Sequence, residues 1–553
     1  DTPAAWGQVL DKPRSDKFVI YSRLLQQMVN IEPAMKFSDV NTGGIERITR
    51  DFAIGMIARI ALFRAGYAKT VGNEIKRADD YLDVNADSLS VTYTDLAGNS
   101  VTAHTYTDYY QMAKNYAQKL INLKPRNLNA DYNQAFLNEN QYTVVNNGEV
   151  LYEVAFVESF GGDVGWCFGV TNTGTCAKGN TTNQVGLTPT YYMSFADGDQ
   201  RRDVCCATWM HNQDTIGVNS VTGISVGKWD RALATKELGK ESSKGTGINF
   251  PLMRYSDVLL MLAEAENELN GPTAVAQNAL KTVRARAFAG KDNYAEQVDN
   301  YVAAVSTSKE AFFNAIVDER AWEFGGEGLR RFDLIRWNLY AKKLEETMRA
   351  MLVWGISQND DLMQIESIRA TYPDVAKYAN WANYLYYKLG PTANNTKSRI
   401  TWLNDKYKLA DDADVSGWYR LNWGSSMLKR VRTYIYKGTS YTACTKTTDA
   451  STGIKTYVLG EGASALTVTV NPGEDSNITR HDEYQASDYA TRIYRGYSNG
   501  ALTGNGNVPF YLPISTTTLN SSSALSNEGY GILDNSAGEG INVVVGTIDN
   551  ENY

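Results

Sequence analysis

Histidine is scarce and cysteine has no pattern. Only His104, His211 and His481 are present, none within H-E-x-x-H or beside a G-x-S-x-G elbow, so the usual parts of zinc and serine-hydrolase chemistry are missing. Cys167, Cys176, Cys205, Cys206 and Cys444 are odd in number, never form C-x-x-C and leave the compartment open. Cys205 and Cys206 with His211 are the one soft-metal candidate, but adjacent cysteines seldom face one ion. Positive charge is in deficit, with Lys+Arg 54 against Asp+Glu 62 and a pI near 5.3. No basic field is available for nucleic acid. Phosphate cradles of the G-x-x-x-x-G-K-[ST] or G-x-G-x-x-G kind are absent from the sequence. No run of roughly 18 apolar residues offers a membrane-spanning helix. No charged, apolar, small-residue leader opens the chain, so Asp1 reads as the start of a processed or trimmed form.

What remains is a chain of 553 residues, 43% hydrophobic, long enough for two or more lobes around large cores. Aromatics are plentiful in kind: 35 Tyr and 11 Trp, many beside Gly, Asn and Asp. An exposed aromatic offers a flat face with a polar handle, suited to sugars or peptides, while the same residue in a core merely packs.

"RYSDVLLMLAEAENEL" (254–269) carries Tyr255, Val258, Leu259, Leu262 and Leu269 at helical period. Asn270, Gly271 and Pro272 break it. "TAVAQNALKTVRARAF" (273–288) resumes with Ala276, Ala279, Leu280, Val283 and Ala287. The spacing predicts an antiparallel helix pair of roughly tetratricopeptide length, which cannot bury its own face alone. Further helices are expected in 49–67, 107–123 and 309–324. Residues 124–250 read as loop with a few strands such as "EVLYEVAFVE" (149–158). Residues 351–425 read as short helices and turns around Trp354, Trp381, Trp402, Trp418 and Trp423, and "ALTVTV" (465–470) as a half-buried strand.

Glu264 and Glu266 lie about 200° apart around a helix and cannot act as a catalytic dyad. Glu264 and Glu268 share a face, and Arg284 or Arg286 on the next helix is the expected counter-charge. In "DERAWEFGGEGLRRFDLIRW" (318–337) Asp318, Glu319, Glu323, Glu327 and Asp333 alternate with Arg320, Arg330, Arg331 and Arg336, a density that predicts helix-to-helix ion pairs. A glycosidase pair is the sharper alternative, but nothing in the sequence fixes its carboxylate separation. "GGDVGWCFGVTNTGTC" (161–176) is a glycine-rich loop that presents Trp166 and two cysteines that can close it.

Several separated blocks resemble the SusD/RagB-type nutrient-binding lipoproteins of bacterial outer membranes. "RYSDVLLMLAEAENELNG" resembles their R-x-x-[DE]-[VL]-L-L-x-x-A-E-A-x-N segment, and "ALKTVRARAF" the L-N-x-V-R-x-R-A that follows. "IVDERAWEFGGEGLRRFDLIRW" resembles E-R-x-x-E-[LF]-x-x-E-G-x-R-x-x-D-L-x-R-W, and "FYLPISTTTLNSSSALSNEGYG" (510–531) the closing L-P-I-P…N…N-x-G-Y. The resemblance implies a mainly α fold with a tetratricopeptide-like helical repeat core and a loop-rich mixed lobe of short β elements. On this sequence the core is expected at 13–345, with an inserted loop and strand region at about 124–250, and the variable lobe at 346–553, returning to the core at about 510–531.

The resemblance also implies capture of an oligosaccharide or oligopeptide at the cell surface without catalysis. Delivery would be to a TonB-dependent SusC-like transporter that the protein covers as a lid. The membrane anchor would be an N-terminal lipid on a cysteine that this sequence does not contain ahead of Cys167. The 351–505 stretch exceeds the family's usual spacing and is where ligand choice is expected to sit. Because the shared blocks build scaffold, the contact residues are chosen on physical grounds: Trp166, Tyr191, Trp209, Trp381 and Trp418. No cofactor is expected beyond a possible structural calcium held by loop carboxylates and Asn carbonyls. The competing readings are a glycoside hydrolase and a tetratricopeptide scaffold gripping a protein tail in its groove.

Overall fold

The computed structural model describes residues 15–70, 74–158, 160–173, 177–212, 215–236, 238, 245–390, 400–491 and 543–553. The closing block at 510–531 and Cys176 lie outside them. The fold is mainly α, with tetratricopeptide-like helix pairs and a mixed part of short strands. The described chain divides into two compact units, one of residues 15–343 with 389–390, the other of 344–388, 400–491 and 543–553.

In the first unit, the periodic segments form the helices Arg50–Ala65, Tyr106–Leu123, Tyr255–Asn270, Ala274–Ala287 and Lys309–Phe324. Side-chain caps start three of them. Thr105 and Asp108 make a reciprocal capping box, Thr273 Oγ1 accepts from Ala276 N, and Ser308 Oγ accepts from Ala311 N at 3.0 Å. Gly271 follows Asn270 at φ 78, a left-handed turn that glycine makes without strain, and Pro272 prevents continuation.

Tyr255–Asn270 is the central helix. It packs on Tyr106–Leu123, Ala274–Ala287 and Lys309–Phe324, while Tyr106–Leu123 packs in turn on Arg50–Ala65. Every residue from Tyr255 to Asn267 is buried, so this helix has no solvent face. An all-round buried helix must find internal partners for its polar groups, and it does so through the ion pairs described below. Leu120, Leu151, Val258, Leu260, Leu280 and Phe312 are among the fully buried residues of the shared core. The strand Val150–Val154 pairs antiparallel with Phe250–Arg254, and the latter leads directly into the central helix.

In the second unit, short helices Asp360–Met363, Glu366–Thr371 and Val375–Tyr378 precede three sheets. Tyr384–Leu389 lies between Ile400–Asn404 and Tyr419–Asn422. Leu428–Tyr436 and Ile478–Ala486 are the inner strands of a four-stranded sheet completed by Thr439–Tyr441 and Val544–Asn550. Cys444–Thr448, Lys455–Leu459 and Leu466–Val470 form a meander. The stretch 384–422 is therefore more strand than the short helices and turns expected for it. Tyr434, Tyr457, Leu459, Val470 and Ile478 make the local core.

Candidate ligand surface and the buried charge network

Most of the buried carboxylates around the central helix are tied up in ion pairs. Arg336 grips Glu264, with Nη2 to Oε2 at 2.8 Å, and also Asp333 at 2.8 Å. Glu264 therefore takes its counter-charge from Arg336, not from Arg284 or Arg286. Arg284 is committed to Glu319 at 2.9 Å, and Arg286 to Glu149 and Glu323 at 3.1 and 2.6 Å. Glu268 pairs with Lys309 at 3.1 Å, and Glu266 with Lys114 at 2.6 Å. Arg254 bridges Glu149, Glu323 and Glu327, and Arg320 joins Asp257 to Asp333. Burial alone pushes carboxylates up, but Arg59 and Arg320 outweigh it at Asp257, and Arg286, Arg254 and Arg201 outweigh it at Glu323. Both are held far below the ordinary range and stay ionised.

Glu139 and Glu153 behave in the opposite way. Burial, then the neighbouring Glu153 carboxylate, pushes Glu139 well above its usual value, and Glu153 is raised by burial too. The hydrogen bond between the two carboxyls raises Glu139 and lowers Glu153, which also accepts from Asn249 Nδ2 at 2.8 Å. With Glu139 4% and Glu153 2% exposed, this pair is closed to a polymer substrate.

The five aromatics chosen from the sequence have different surroundings. Tyr191 is turned to packing: its hydroxyl donates to Ala321 O at 2.8 Å, its ring meets Phe195 edge-on at 5.0 Å, and a Cβ on Gly325 would fall 1.9 Å from its oxygen. Trp166 is half-buried in the glycine-rich loop, where Thr182 N donates to its carbonyl at 2.9 Å. Trp209 is half-buried on the strand Trp209–Asn212, edge-on to His211 at 5.1 Å. Trp381 props the fully buried Trp354 edge-on at 5.2 Å and meets Tyr378 at 4.8 Å. Trp418 is half-buried with Lys388 Nζ 4.3 Å above one face of its ring.

The sheet beside Trp418 carries aromatics that were not singled out. Tyr387 stands directly opposite Tyr419 across the strand pair, with ring centres 5.5 Å apart, and Trp402 lies 5.8 Å from Tyr387. Tyr419 is 63% exposed while Leu385, two residues before Tyr387 on the same face, is buried. One end of that face is thus rooted and the other open. Arg420 covers Tyr384 at 4.5 Å on the opposite face. The aromatic run "YLYYKL", ended by Gly390 and Pro391, is the sequence signal for this strand.

Among the described residues, no cluster of three or more His, Cys, Asp or Glu is arranged to hold a metal. His211 Nε2 is hydrogen-bonded to Asp230 at 3.1 Å, and Cys205, Cys206 and His211 are not part of any such cluster in the described residues. No helix is long and apolar enough to cross a membrane among these residues.

A sequence profile described as SusD family matches residues 208–530. The chain belongs to the SusD family. It is 26% identical over 264 residues to SusD-like protein P25 of Formosa agariphila, a match covering 43% of this chain and 48% of that protein. The chain thus spans about half the length of this SusD relative. A SusD homolog from Bacteroides thetaiotaomicron of known structure is similar at TM-score 0.49 and 21% identity, over 61% of this chain and 62% of that one. Surface glycan-binding protein A from the same organism is similar at TM-score 0.40 and 17% identity, over 59% and 62%.

Proposed function

We propose that this SusD-family chain is a non-catalytic, lipid-anchored cell-surface protein that captures an oligosaccharide. It delivers the sugar, as a lid, to a TonB-dependent SusC-like transporter of the outer membrane. The observation that carries the ligand class is the aromatic face on which Tyr419 is exposed and Tyr387, Trp402 and the neighbouring Trp418 are half-buried. The C–H face of a sugar ring is weakly positive and lies well on the negative face of an aromatic ring. Within the helical unit, taken by itself, Trp166 and Trp209 are the half-buried aromatics that remain candidate contacts, while Tyr191 and Trp381 act as supports in their own units. Family membership supports the partner and the location.

The absence of catalysis is supported by the state of the carboxylates. Glu319, Glu323, Glu327 and Asp333 of the 318–337 block are paired with guanidiniums, and the Glu139–Glu153 pair is buried. A glycosidase needs an accessible acid and a second carboxylate across the bond it cuts. The test is tryptophan fluorescence of the chain titrated with polysaccharides and a peptide digest, with the products separated by chromatography. Saturable quenching by a glycan that is recovered intact is expected. Shortened products would overturn the reading, and a response to peptides alone would replace glycan by peptide.

A further inference from the structure

We propose that Arg430, Arg432 and Arg480 form a subsite for an oxyanion, carboxylate or sulfate, carried by the captured glycan. The inference rests on the glycan-capture reading and adds a ligand class to it.

The three arginines share one face of a strand pair. In the antiparallel register of Leu428–Tyr436 with Ile478–Ala486, Arg432 stands opposite Asp482, Arg430 opposite Tyr484, and Tyr434 opposite Arg480. Side chains alternate along a strand, so Arg430, Arg432, Arg480 and Asp482 project to the same side. Glu483 and Asp549 project to the other side, where Asp549 holds His481. Arg432 Nε reaches Asp482 Oδ1 at 2.6 Å and its Nη2 reaches Oδ2 at 3.1 Å, a bidentate pair. Arg480 Nε adds a contact at 3.2 Å, while Arg430 Nη1 stays 4.0 Å away. Arg480 is steadied further by the amide oxygen of Asn550 on the next strand and by the Tyr553 ring at 5.2 Å. Tyr484, on the same face, has its hydroxyl 3.5 Å from the Asp361 carboxylate.

One buried carboxylate therefore organises three guanidiniums and neutralises one of them. Asp482 is 3% exposed, while the Arg430, Arg432 and Arg480 side chains keep 46%, 29% and 25% of their surface open. Arg430 has no closer polar contact among the described residues, and its side chain is 46% exposed. Like charges beside one another on a sheet are unfavourable by themselves, and a bound oxyanion offsets them. The planar fork matches carboxylate and sulfate oxygens in pairs, so the acidic group, not the sugar ring, is what this face recognises. The chain's net charge of −8 gives no general attraction for such ligands, which makes the patch a local feature.

The test is affinity electrophoresis and calorimetry of the full chain against a polyuronate, a sulfated polysaccharide, a neutral β-glucan and an acidic peptide, at low and high salt. The proteins are the wild type, Arg430→Gln and Trp402→Ala. Binding of one acidic glycan, weakened by salt and reduced about tenfold by Arg430→Gln with an unchanged melting temperature, is expected from loss of one charge-assisted hydrogen bond. Which acidic glycan responds distinguishes carboxylate from sulfate. A neutral glycan bound through Trp402, with Arg430→Gln silent throughout, overturns the oxyanion subsite and leaves glycan capture standing. Arg430-dependent binding of the acidic peptide alone overturns the glycan assignment. No binding of any ligand overturns both.

Discussion

Arg336 Nη2 donates to Glu264 Oε2 at 2.8 Å across 72 residues of sequence, and Trp337 Nε1 donates to the same carboxylate at 2.9 Å. The Glu264 side chain is 1% exposed, so the pair is fully desolvated. Removing one partner strands a charge. Arg336→Met is expected to lower stability by about 3–5 kcal/mol, read from the urea midpoint. The double change Glu264→Met with Arg336→Met should cost less than Arg336→Met alone, because it leaves no orphan at Glu264. A double variant that costs more than the single would show that the two side chains do not act as a unit.

The Glu139–Glu153 pair sets a pH dependence of the opposite sign to that of the ion pairs. Glu139 is raised above its ordinary 4.5 by burial and by Glu153, so the folded state holds a proton that the unfolded state releases. Its contribution is complete below about pH 4.5 and is lost as pH rises toward the folded value. Asp257 and Glu323, held low by their arginines, contribute above their ordinary values and lose that contribution as pH falls. Glu139→Gln, neutral at every pH, should raise stability relative to the wild type at pH 8 and leave the acid limb unchanged. Melting curves from pH 4 to 9 check this, and parallel curves for the two proteins would refute it.

Gly66 ends the helix Arg50–Ala65 against the backbone of the Arg330–Arg336 helix. Tyr67 N donates to Arg336 O at 2.8 Å, and a Cβ on Gly66 would fall 2.7 Å from that same oxygen. Backbone cannot give way as a flexible side chain does. Gly66→Ala should cost about 1–3 kcal/mol as local overpacking. An unchanged denaturation midpoint would mean the two helices part without penalty.

The helices were legible because their signal is local. Apolar residues at i, i+3 and i+4 with Thr273, Ser308 and Gly271 at the ends need no knowledge of the rest of the chain. The partner of Glu264 was not legible. Arg284 and Arg286 are nearer in sequence, but the central helix is buried on every side, and Arg336 approaches from an element 72 residues away. The strand Leu428–Tyr436 escaped notice because Lys429, Arg430 and Arg432 break its apolar alternation. The structure exposes most of that half of the strand and buries Tyr434 beyond it. The aromatic face was half legible for the same kind of reason. Trp418 stands out in a loop-rich stretch, but Tyr387, Trp402 and Tyr419 become one surface only through strand register, which composition does not contain.

That surface separates two uses of tryptophan in one unit. Trp354 and Trp423 are 0% exposed, with Trp381 edge-on to Trp354, and they hold the fold. Trp354→Ala should cost about 3–5 kcal/mol, with any change in binding following from unfolding. Trp402 is half-buried and Tyr419 63% exposed, and neither belongs to the buried core of the unit. Trp402→Ala and Tyr419→Ala should each weaken glycan binding about tenfold, roughly 1.4 kcal/mol, while the melting temperature stays close to that of the wild type. The two together should lose more than either alone, since both rings flank Tyr387 and would stack on successive parts of one ligand. Calorimetric titration beside a thermal melt separates the outcomes. Lost binding with an intact fold assigns these rings to the ligand, whereas lost stability with unchanged affinity per folded molecule makes them core residues and moves the binding face to Trp166 and Trp209.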